Sequence, residues 1–244
     1  MDNSNFKTVN QDKFTVSTVE GLSIITSNSS NSESLDMNKI TEIEKEINSF
    51  EVEPENREAS FDYCYNYFYV NRGESLLGNN LEKSCLVLGF YLASWGMLRG
   101  SSFLLGKSVK YFEETIKIIS KTDGSYWEID LDKYDEENIK KIIEIYHKIK
   151  DVLVEENRTH LTLVTKVLLG VFGFVPAYDS YFCQTFGRLY RGECGFTYVN
   201  EKSLKCIKDF YEKHKEIFDK LYSNTYTIDF LSAKKLIFII QKQN

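Results

Sequence analysis

The sequence predicts an all-α protein: a compact multi-helix single domain over residues 59–244, preceded by a flexible acidic N-terminal segment, residues 1–58. Three observations lead there. Apolar residues recur at helical spacing along most of the chain from Ala59 onward. Only 2 prolines and 13 glycines occur in 244 residues, which favours long uninterrupted elements over a loop-rich all-β fold. Hydrophobic residues make up 42 % and aromatics 14 %, enough to fill a substantial core.

The elements follow in chain order. Residues 1–36 are rich in Ser, Asn and Thr and bury too little apolar surface to offset their ordering entropy. Within them, the alternation from Lys13 to Thr26 around Glu20-Gly21 matches a small hairpin. Ile40, Ile43, Ile47 and Phe50 share one face of a short acidic helix, which Glu53-Pro54-Glu55 ends. Phe61, Cys64, Tyr65 and Phe68 then mark a helix face. Leu81 to Leu98 reads as a buried central helix, with Gly89 and Gly96 permitting close packing. Ser108 to Lys121 is amphipathic, and 122–134 is a polar loop. Asp135 caps a long helix to about Glu156, with Ile139, Ile142, Ile143, Tyr146, Ile149 and Leu153 inward. Helices over His160–Phe172, Asp179–Leu189, Glu201–Tyr222 and Asp229–Gln241 complete an array of about seven to nine.

Charge divides the chain. The first 80 residues carry 6 basic and 14 acidic groups, a net of −8, and the rest is +2. The acidic whole argues against a large nucleic-acid interface, yet the C-terminal body does not repel phosphate. An apolar run of about 18 residues and a signal-peptide pattern are both lacking, so a cytoplasmic chain without a membrane span is expected. Cys64, Cys85, Cys183, Cys194 and Cys206 then read as free thiols. His147, His160 and His214 lack metal-ligand spacing, so neither a metal nor a cofactor is expected.

Gly100 to Ser108, GSSFLLGKS, has one residue too many between its first Gly and Gly-Lys-Ser for a nucleotide phosphate loop. The stretch is either a plain helix–loop–helix connection or a place where Arg99, Ser101, Ser102 and the amides before Ser108 hold a phosphodiester. Trp95 and Arg99 fall four residues apart, as a pocket wall for a flat ligand or as a core indole under a snorkelling Arg. The most informative stretch is TKVLLGVFGFVPAYDSYF, Thr165 to Phe182. Lys166 lies early in an apolar helix. Asp179 follows Pro176-Ala-Tyr178 at the start of the next helix, beside Tyr181 and Phe182. That carboxylate is either a helix cap or a catalytic group in an aromatic pocket.

This arrangement resembles the helix-hairpin-helix superfamily of DNA glycosylases, in which a Lys opens an apolar helix, a Pro turn follows, and an Asp starts the next helix. Lys166, Pro176 and Asp179 take those positions. The stretch before Lys166, HLTLVT, has no glycine hairpin, and the Lys-to-Asp spacing is 13. The resemblance implies an all-helical fold, DNA with a modified base as partner, and base flipping into a pocket. It implies Asp179 as the carboxylate assisting base departure and Lys166 as nucleophile or electrostatic aid. Trp95, Tyr178 and Tyr181 would form the base pocket, with Arg99, Arg188 and Arg191 on phosphates; the last two belong to GRLYRGECGF, a Gly-rich basic loop close after Asp179 that reads equally as a phosphate contact or as a solvated loop. The alternative is a helical interaction module without chemistry, its acidic N-terminal segment meeting a protein partner.

Overall fold

A computed structural model describes residues 55–57, 59–156 and 158–216. Among these residues all regular structure is helical. There are seven α-helices and six short 3-10 segments. In chain order the helices are α1 (Ala59–Val70), α2 (Leu81–Ser94), α3 (Glu113–Ser120), α4 (Glu136–Leu153), α5 (Leu161–Phe172), α6 (Ser180–Leu189) and α7 (Glu201–Lys213). The expected hairpin at 13–26, the helix at 40–50, the end of the helix toward Tyr222 and the helix at 229–241 lie outside the described residues.

The centre of the array is α5. Every residue from Leu163 to Phe172 is buried, as an all-round apolar helix requires. Around it pack α1, α2 and α4, with α3 against α4 and α7 against α4. The expectation that 81–98 forms the central helix is corrected on two counts. Leu86 and Phe90 of α2 face outward, and α2 stops at Ser94. Gly96 adopts a left-handed φ of 76°, and Met97 N–H reaches back to Leu92 O at 2.8 Å. That is a glycine-dependent C-terminal lock, so Gly96 ends the helix rather than packing inside it. Gly89 does allow close packing: a Cβ there would meet the Phe112 ring at 3.3 Å.

Two further expectations change. Residues 109–112 form a 3-10 turn before α3 begins at Glu113. The 122–134 segment is not a solvated loop. Tyr126, Trp127, Ile129, Leu131 and Tyr134 are all buried in it. Trp127 Nε1 donates to Val171 O at 2.8 Å and the Tyr134 hydroxyl to Phe174 O, which fastens the segment onto the end of α5. Two consecutive 3-10 turns carry no single period, so these aromatics escape a search for helix or strand spacing. By contrast α4 begins where its cap predicts: Asp135 Oδ1 accepts the Asn138 N–H at 2.8 Å. Its buried face includes Ile145, with Ile143 only half-buried. Within the described residues no helix is long and apolar enough to cross a membrane.

Candidate functional site

The junction of α5 and α6 is built by two threonines. Thr162 Oγ1 donates to Tyr178 O at 2.8 Å, and Thr165 Oγ1 accepts the Tyr178 N–H at 2.9 Å. The residue before Lys166 therefore holds the residue before Asp179. Gly173, at φ 75°, ends α5 and turns the chain into the buried stretch 173–178 that runs back to this clamp.

Asp179 is the N-cap of α6. Its Oδ1 accepts the Phe182 N–H at 3.0 Å, and among the described residues its other oxygen carries no hydrogen bond. Lys166 does not open its helix, as the resemblance implied, but is the sixth residue of α5; it is 7 % exposed and its Nζ donates to Trp95 O at 2.6 Å, tying α5 to the end of α2. Burial pushes the Lys166 ammonium below its ordinary value. Asp179 opposes that shift, while Arg99 and Arg57 add to it. One carboxylate and three cations thus share a neighbourhood with the Trp95 backbone.

Trp95 itself is half-buried, its indole N–H enclosed without a hydrogen-bond partner among the described residues. The guanidinium over its ring, 5.2 Å from the centroid, belongs to Arg57. This corrects the pairing of Trp95 with Arg99 on one helical face: the helix has already ended, and Arg99 folds back over Gly96, where a Cβ would stand 2.8 Å from Arg99 Nε. Arg57 sits where the sequence shows only the end of an acidic linker, and nothing local marks it.

Other predicted residues separate. Tyr178 is 1 % exposed, stacks on Phe182 at 4.9 Å and donates its hydroxyl to Ser203 Oγ at 3.1 Å, so it is a core residue behind the site. Tyr181, in the first turn of α6, is 51 % exposed. Ser102 caps the 103–106 turn and donates to Met97 O at 2.5 Å, while Ser101 is exposed. Arg188 and Arg191 are exposed at the far end of α6. At 1.5 Å per residue, Arg188 lies roughly 13 Å along the axis from Asp179. The Gly-rich basic loop is therefore not beside the carboxylate, as its nearness in sequence implied.

Elsewhere, a groove of about 310 Å³ between α3 and α4, lined by Ile118, Lys121, Asp123 and Lys148 among others, contains none of these residues. Among the described residues no three His, Cys, Asp or Glu side chains are grouped to hold a metal, and all five cysteines are free thiols.

The arrangement has a definite chemical capacity. An amine held in a desolvated position, with its charge disfavoured, is closer to the neutral nucleophilic form than a surface lysine. A carboxylate fixed by helix amides within its field can stabilise a developing positive charge. Compared with known protein families, with curated proteins and with solved structures, the chain matches none.

Proposed function

We propose that this chain is a DNA glycosylase-like enzyme that releases a modified base by flipping the nucleotide toward the α5–α6 junction. The observation supporting the reading is the pairing of buried Lys166 with Asp179 in one electrostatic neighbourhood, held in register by the Thr165–Tyr178 hydrogen bond. The Lys166 amine attacks the sugar C1′, the glycosidic bond breaks, and the bonding electrons leave with the base, which takes up a proton. Asp179 stabilises the positive charge that develops on the sugar. Trp95 and exposed Tyr181 flank the extruded base, with Tyr178 supporting them from the core. Arg99 and Ser101 meet the adjacent phosphates, and Arg188 and Arg191 meet the duplex farther along.

The test uses the full chain and duplex oligonucleotides carrying uracil, hypoxanthine, 8-oxoguanine or an alkylated purine. Asn caps a helix as well as Asp does, so Asp179→Asn keeps the fold. Its base release should fall about 100-fold or more, the scale of a lost catalytic carboxylate. Borohydride should trap wild type, but not Lys166→Gln, on DNA. Absence of base release from all four substrates overturns the reading. A second reading, a non-enzymatic interaction module, is favoured by the large apolar side chains exposed on α1 and α2. It requires that no salt-dependent DNA binding be seen at low salt, whereas phosphate contacts weaken steeply as salt rises.

A further inference from the structure

The outward face of α1 and α2 carries four large exposed apolar side chains beside exposed Asn66, Glu82 and Lys83. Tyr63 is 69 % exposed, Val70 74 %, Leu86 49 % and Phe90 69 %. The two helices run antiparallel: Phe61 meets Tyr91 at 6.2 Å between ring centroids, and the Tyr67 and Ser84 hydroxyls are hydrogen bonded at 2.9 Å. That register sets Tyr63 level with Phe90 and Val70 level with the start of α2. Half-buried Tyr67 and Val87 lie between them, with Lys83 Nζ 5.4 Å from the Tyr67 ring. Single exposed apolar residues are ordinary, but four large ones across two paired helices mark an interaction face.

The chain itself carries a matching segment. Ile40, Ile43, Ile47 and Phe50 repeat at helical spacing, and they precede α1 directly. The chain reaches α1 at the end of the groove where Phe90 lies, since Arg57 sits over Trp95, one turn beyond Phe90. Residues 55–57 form a turn, closed by the Ala59 N–H on Asn56 O, which leaves 51–54 to span up to about 13 Å when extended. A helix over 38–50 would be about 20 Å long, matching the roughly 18 Å of α1, so it covers the face once seated at the Phe90 end. Residues 38–58 hold 7 acidic and 3 basic groups, and the face presents Lys83 together with exposed Glu82, so its apolar side chains rather than its charge suit the segment.

We propose that residues 38–50 fold back as an amphipathic helix into the α1–α2 groove, setting Ile40, Ile43, Ile47 and Phe50 against Tyr63, Val70, Leu86 and Phe90. The proposal stands independently of any activity at Lys166. It buries the acidic segment's apolar stripe within its own chain and leaves Glu42 and Lys45 outward.

The test places p-benzoylphenylalanine at position 90 of the full chain and irradiates it at several protein concentrations. The expected result is a concentration-independent cross-link within one chain, mapped by peptide mass spectrometry to residues 38–50. In the same protein, Ile43→Asp with Ile47→Asp should lower the cross-link yield at least tenfold. A cross-link between two chains assigns the groove to a second copy and overturns the proposal. So do a cross-link to any other segment, no cross-link, or a yield unchanged by the double substitution.

Discussion

Thr165 Oγ1 donates to Leu161 O at 2.8 Å while accepting the Tyr178 N–H at 2.9 Å. The side chain is fully buried, so no water replaces it. Thr165→Val keeps the shape and strands the Tyr178 N–H, a loss of about 1–3 kcal/mol. Thr165→Ser keeps the hydroxyl and should lie nearer wild type than the Val variant in urea denaturation. Equal losses for Val and Ser would show that the hydroxyl does not hold the junction. Asp179 has two duties at this junction, since its carboxylate caps α6 and also faces the field of Lys166. The cap was legible in the sequence, because an Asp before a helical apolar pattern is a start signal. The buried state of Lys166 was not, because it depends on Trp95, 71 residues away in the chain.

The helices differ in how much their own sequences reveal. For α4 the cap and the isoleucine spacing determine the start and most of the buried face. The start of α7 is likewise local: Asn200 and Ser203 cap each other reciprocally. For α2 the local pattern misleads, because apolar residues continue past Gly96, and only the left-handed turn shows that the helix is over. Glycines inside helices have equally different roles. A Cβ on Gly170 of α5 would stand 2.3 Å from Tyr91 Cε1, against a ring that is 1 % exposed. Gly170→Ala should therefore destabilise by about 1–3 kcal/mol through overpacking. At Gly89 the nearest ring atom is 3.3 Å away, and a helix-propensity gain of up to about 1 kcal/mol offsets the tighter contact. Gly89→Ala should be near neutral. Denaturation midpoints for the two variants check the contrast, and equal shifts would contradict it.

The stability of the molecule as a whole should fall in alkali. Burial pushes the thiols of Cys85, Cys183 and Cys206 up to about 11 from an ordinary 9.0. The unfolded chain loses these protons first, so their contribution is fully present below pH 9.0 and is lost as pH rises toward 11. Buried Tyr91 and Tyr134, raised for the same reason, act in the same sense above 10.0. Lys166 acts oppositely, because its charged form is disfavoured in the folded state, but it is one group against several. Thermal melts should show the melting temperature dropping between pH 9 and 11, with a flatter profile for Cys85→Ala. A temperature that holds steady over that range would contradict the prediction. By itself, the sequence determined the helical class, the starts of α4, α6 and α7, the end of α5, and the pairing of Lys166 with Asp179 as residues of interest. These follow from local periodicity, capping chemistry and chain proximity, which act within a few residues. Only the tertiary structure decided that α5 is central, that 122–134 is core, that Arg57 covers Trp95, and that Tyr178 faces inward while Arg188 and Arg191 lie a helix length from the carboxylate. Those outcomes depend on which helices meet, and burial is set by partners far away in the chain.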